Sequence, residues 1–187
     1  MPSHTDYLAR GHENLGRLLL VLDSHLSRAL SGETPDMQLM HGIVDYVIDY
    51  VERQHNPVEQ LVLTRLARRE RWLDSLVEAH ARELRELRLS MARFSGLLAR
   101  ARVDPSFDRE ELAHAGRAFV AALRRRVLVE DAELLPAAEQ ALDAEDWRSI
   151  EAALRTPGVR EESAEDARFE SEFHDLAQEA GCECEYA

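Results

Sequence analysis

The chain has 187 residues, 45% of them hydrophobic and 32% charged, which suits one globular domain able to bury a sizeable core. A formal net charge of -13 argues against nucleic acid and anionic membranes as partners, because both select basic faces. The longest apolar run, Leu18 to Leu22, is far short of a bilayer span and the amino terminus lacks the apolar segment of a signal peptide, so a cytoplasmic location is expected.

Apolar residues recur at helical spacing along nearly the whole chain and no stretch alternates with period two, so the class is all-α. A first helix is expected from about Thr5 to Leu30, closed by Ser31 and Gly32. Thr34 and Pro35 offer a cap and a first-turn proline for a second helix to about Arg53. Pro57 lacks a backbone N–H, which predicts a break or kink at Asn56–Pro57, with Val58 to Arg69 as a short continuation. A third helix is expected over about Glu70 to Arg102, ending before Asp104 and Pro105, and a fourth over about Asp108 to Leu142 with Pro136 near its end. Short helices follow from Asp143 or Ala144 to Leu154, pinned by Trp147, and from Ser163 to Ala180 after the Thr156–Pro157–Gly158 interruption. Four long helices with short connections imply an up-down-up-down four-helix bundle over residues 1–155, followed by a C-terminal helix and tail over 156–187. The only cysteines, Cys182 and Cys184, lie in that tail, so no disulfide framework holds the fold; they read as reduced thiols on a mobile terminus.

One spacing occurs twice. His55, Glu59 and Leu63 are matched by Arg126, Glu130 and Leu134, each step being one helical turn. A histidine and a glutamate one turn apart lie on one helix face and form a clamp for a metal ion. In the second copy arginine replaces histidine, and a guanidinium keeps its proton and offers no lone pair.

Helical phase separates inward from outward polar residues. The first stripe runs Leu8, His12, Leu15, Leu19, Leu22, and the second Met40, Val44, Val47 or Ile48, Val51, His55, Glu59. The third runs Leu73, Leu76, His80, Leu84, Leu87, Met91, Phe94, Leu98, and the fourth Leu112, Gly116, Phe119, Leu123, Arg126, Glu130, Leu134. Every helix therefore carries a titratable group on an otherwise apolar stripe, and these groups are expected to meet at one end of the core. Any one of these histidines alone would read as a hydrogen-bonded core residue. Burying Glu59, Glu130 and Arg126 together costs several kcal/mol each unless they are paired or bound to metal. His4, His25, His41, His114 and His174 fall off the stripes or in the tail; His41 with Asp45 flanks its stripe.

With His12–Glu13–Asn14–Leu15, His55–Asn56–Pro57–Val58–Glu59, Glu78–Ala79–His80 and Glu130–Asp131–Ala132–Glu133–Leu134–Leu135–Pro136, the chain resembles hemerythrin-like proteins of the HHE cation-binding type over about Leu8 to Leu154. That resemblance implies a four-helix bundle around a non-heme di-iron centre, and a role in binding dioxygen, sensing oxygen or iron, or responding to nitric oxide. It implies that His12 and His55 are the histidines of one iron site, Glu59 and Glu130 the bridging carboxylates, and His80 a histidine of the other site. Arg126 stands where the family has a histidine, Leu84 where oxygen carriers of the family have a second one, and Arg65 where a proline is usual. The expectation is therefore a partly degenerate site holding one tightly bound ion, at His12, His55, Glu59 and Glu130, with Arg126 in the space of the second. Zinc or manganese suits the same donors as iron.

Three other readings remain open. Ferritin-like di-iron proteins use Glu-x-x-His pairs, which Glu52/His55 and Glu111/His114 match in sequence, although His114 is out of phase. A metal-free interaction bundle would have Arg126 neutralise Glu59 and Glu130. An oxidoreductase acting at the iron is a third, with no nucleotide loop or nucleophile motif to name a substrate.

Overall fold

The computed structural model describes residues 4–69, 74–104, 106–155 and 164–181, which are helical apart from short turns, with no strand among them. Helix α1 (His4–Leu30) is the first rod of a bundle. The second is α2 (Met37–Tyr50), which passes through a π-helical turn, Val51–His55, into α3 (Asn56–Arg69). The third is α4 (Asp74–Ala101), and the fourth is α5 (Arg109–Val129) continued by a second π turn, Glu130–Leu134, and α6 (Leu135–Ala141). α1 and α4 each pack against both α2 and α5, which closes the four rods into an up-down-up-down square. α7 (Ala144–Leu154) lies on α3, and α8 (Ala164–Glu179) lies on α2 and α1. No described helix is long and apolar enough to cross a membrane. The expected starts at Glu70 and Ser163, stripe residue Leu73, Pro105, the 156–158 interruption and Cys182 and Cys184 lie outside the described residues.

The helix ends follow from local chemistry. Gly32 takes φ +82°, the left-handed conformation that closes α1. The expected cap at Thr34 gives way to Asp36, whose carboxylate accepts from the N–H groups of Gln38 and Leu39, so α2 starts at Met37. Asp108 caps α5 through the N–H of Glu111, and Asp143 with Asp146 forms a capping box on α7.

The break expected at Asn56–Pro57 is instead a π turn. Pro57 cannot donate to the carbonyl four residues back, and the helix absorbs that loss by widening: the N–H of Asn56 bonds to the carbonyl of Val51. The same device precedes Pro136, where the N–H of Leu135 bonds to the carbonyl of Glu130. The repeat in sequence is consequently not a repeat in structure. His55 closes the first π turn with Glu59 in the regular helix beyond it, whereas Arg126 lies in the last turn of a regular helix and Glu130 opens the second π turn.

Two apolar clusters fill the bundle. The larger contains Leu15, Val51, Leu87 and Leu123, and the smaller contains Leu8, Val58, Leu134 and the partly buried Leu76. On each rod a polar residue sits between a member of one cluster and a member of the other: His12 between Leu8 and Leu15, His55 between Val51 and Val58, His80 between Leu76 and Leu87, Arg126 and Glu130 between Leu123 and Leu134. The polar groups therefore form a layer sealed on both sides, not one end of the core as the stripe phase alone suggests. Trp147 packs against the smaller cluster, and Phe169, Phe173 and Ala177 of α8 join the larger one.

Candidate metal centre

His12, His55, Glu59, His80, Arg126 and Glu130 are all buried, none more than 4% exposed, so none meets bulk water. Nε2 of His12, Nε2 of His55 and Oε2 of Glu130 form a triangle with edges of 2.8, 3.0 and 3.0 Å. Asp131, next to Glu130 in the second π turn, lies 2.7 Å from Nδ1 of His12. A carboxylate only accepts, so Nδ1 carries the proton of that contact.

Hydrogen bonds alone do not satisfy this triangle. If Nε2 of His12 donates to both neighbours, the lone pair of His55 faces the Glu130 oxygen; if both imidazoles donate to Glu130, two N–H groups face each other across 2.8 Å. A metal ion removes the conflict by accepting all three lone pairs. Donors about 2.1 Å from an ion and at right angles stand about 3 Å apart, which is the size of the observed triangle.

A second group of donors shares Glu130. Ligand atoms of Glu59, His80 and Glu130 lie within 4.8 Å of one another. Nδ1 of His80 donates to the carbonyl of Leu76 at 3.0 Å, which leaves Nε2 as the inward atom; it and Oε1 of Glu59 are buried without a hydrogen-bond partner. Arg126 occupies this side. Its Nη2 donates to Oε2 of Glu59 and, at 3.1 Å, to Oδ1 of Asn56, while its Nε lies 2.7 Å from Oε1 of Glu130. One guanidinium thus pairs with both carboxylates, hydrogen-bonding to Glu59 and meeting Glu130 as a close ion pair.

The charges of the layer act on one another. Burial alone would raise Glu130, but His55, His12 and Arg126 hold its carboxyl well below the usual carboxylate range. Burial and the nearby charge of Glu130 push Glu59 up to about 7, against the opposing pull of Arg126, His55 and His12. Burial lowers His12, yet hydrogen bonds and charge from Glu130 and Asp131 leave it raised overall.

All six stripe residues named from the sequence meet in this layer, with Glu130, not Glu59, completing the triangle of the two imidazoles. Three histidines off the stripes stay out of it: His41 reaches the carbonyl of Leu98 at 3.1 Å, Nδ1 of His25 accepts from the N–H of Asp36, and His114 is exposed. The ferritin-like pairing fails on contacts as well as phase, because Glu52 is held by a bidentate Arg88 at 2.9 and 2.7 Å. Sequence reasoning missed the roles of Asn56 and Asp131 and the full burial of Gln54. The two prolines were the available signal, since each π turn ends two residues before one.

The family model for the hemerythrin HHE cation binding domain matches residues 3–138, which takes in the first three rods, the fourth as far as Ala138, and every residue of the layer. No curated protein and no solved structure matches the chain.

Proposed function

The chain belongs to the hemerythrin HHE cation-binding family, and from that premise we propose that it is a cytoplasmic non-heme iron protein that senses or handles oxygen, nitric oxide or iron. The observation that carries this reading is the buried triangle of His12, His55 and Glu130, whose three close edges leave hydrogen bonding unsatisfied and suit an ion. Iron bound there would supply a redox-active centre able to take a small diatomic ligand; zinc or manganese would suit the same donors without serving dioxygen in the same way.

The chain's own residues prepare the site. Asp131 fixes the tautomer of His12 so that Nε2 faces inward. The apolar clusters on either side exclude bulk water, which strengthens every charge interaction within the layer. Arg126 holds the carboxylates that would otherwise repel each other.

That last contact favours the second reading, a metal-free bundle in which the Arg126 pairs serve stability alone. Metal analysis and optical spectra of protein expressed in iron-supplemented medium separate the two. Near-stoichiometric iron with a spectrum that changes on adding nitric oxide supports the iron reading; folded protein free of iron, zinc and manganese removes it.

A further inference from the structure

We infer that the chain holds a single metal ion, on a two-histidine, one-carboxylate face made by His12, His55 and Glu130, and that Arg126 is a permanent cation in place of a second ion. This rests on the metal-binding reading above and fixes its stoichiometry and geometry.

Three observations carry it. Nε2 of His12, Nε2 of His55 and Oε2 of Glu130 converge with edges of 2.8, 3.0 and 3.0 Å, so the three donors would hold one ion between them. Ions that accept two imidazoles and a carboxylate, ferrous iron and manganese among them, would suit these donors.

Arg126 blocks the second position chemically. It is 2% exposed and contacts both Glu59 and Glu130, the two carboxylates that a second ion would need. A guanidinium cannot give up its proton to become a ligand or to shed its charge. His80 and Glu59 supply donors on that side, but an ion between them would lie against a fixed positive charge.

Formal charge agrees. Within the buried layer, Glu59 and Glu130 against Arg126 leave one negative charge, which one divalent ion turns into one positive charge. A second divalent ion would leave three positive charges in a layer sealed by apolar residues, where uncompensated charge is costly.

The test uses the full chain stripped by a chelator, titrated anaerobically with ferrous iron for stoichiometry and with Mn2+ for electron paramagnetic resonance. The parent is expected to take one equivalent of either ion and to give the spectrum of an isolated Mn2+. His55→Ala and Glu130→Gln should weaken binding at least 100-fold. His80→Ala, which leaves the triangle and the Arg126 pairs in place, should keep the one equivalent. Arg126→His should admit a second ion and yield a spin-coupled Mn2+ pair. Two equivalents with a coupled spectrum in the parent, or loss of binding in His80→Ala with its helical circular dichroism intact, overturns the single-ion site while leaving the metal-binding reading standing. Folded parent protein that binds neither ion overturns both.

Discussion

Asp131 holds Nδ1 of His12 at 2.7 Å while its own side chain remains 46% exposed. It borders the buried layer from outside, and its effect is to fix which nitrogen of His12 faces in. A ligand histidine oriented by an acceptor loses affinity for metal when that acceptor is removed, typically 10- to 100-fold. Asp131→Ala should weaken metal binding by about that factor. Because the change also leaves the buried Nδ1–H of His12 without its acceptor, metal-free protein should lose about 1–3 kcal/mol of stability. A titration showing unchanged affinity would mean that packing alone orients His12.

Protonation gives the metal-free protein a pH dependence of definite sign. Glu59 ionises near 4.5 when unfolded but only at about 7 when folded. Between those values the folded state binds the extra proton, so the contribution of Glu59 to stability falls as pH rises from 4.5 through 7, on the order of 3 kcal/mol in all. His12, also raised, adds to the loss as pH climbs past 6.5. Glu130, held low, acts oppositely and costs stability as pH drops below 4.5. Metal-loaded protein should show the reverse slope above pH 5, because ligation needs deprotonated imidazole and carboxylate. Urea unfolding across pH 5 to 8, with and without Mn2+, compares the two slopes; parallel slopes would disconnect the layer from metal.

How much of this was written in the sequence differs by residue. The rods follow from apolar spacing, and so do His12 and His80, which lie in regular helix where a period of 3.6 holds to the site. His55, Glu59, Arg126 and Glu130 were also identified, because steps of four stay on the inner face of either helix type. Gln54, Asn56 and Asp131 were not, since a π turn carries one residue more per turn and brings neighbours of the stripe inward or to its rim. The burial of Asn56 beside His55 is intelligible only once the helix is known to widen ahead of Pro57. Docking of α8 through Phe169 and Phe173 was equally hidden, because their partners Tyr46 and Tyr50 are far away along the chain.

Gly116 shows the packing cost on the apolar side. Its stripe position would normally favour alanine, by about 1 kcal/mol of helix propensity. A Cβ there would lie 2.8 Å from both the Phe94 ring and a methyl of Leu26, each fully buried. Overpacking of that kind costs about 1–3 kcal/mol. Gly116→Ala should therefore lower stability by about 1 kcal/mol net, measured by urea unfolding, whereas a rise would mean that Leu26 yields without strain.

Arg126→Ala separates the structural role of the arginine from its role toward metal. In metal-free protein the change leaves Glu59 and Glu130 facing each other in a sealed layer, with Asn56 Oδ1 also losing a donor. Breaking a buried pair by removing one partner costs about 3–5 kcal/mol. The loss should be smaller at pH 5 than at pH 8, because Glu59, already raised by burial and by Glu130, takes up a proton in place of the missing cation. A divalent ion should restore stability more strongly in the variant than in the parent, since the vacated space beside Glu59, His80 and Glu130 then accepts it. The measurement is the thermal midpoint of both proteins at the two pH values, in chelator and in excess Mn2+. A variant as stable as the parent in chelator at pH 8 would show that the carboxylates do not need the guanidinium, and the account of Arg126 as a resident cation would fall with it.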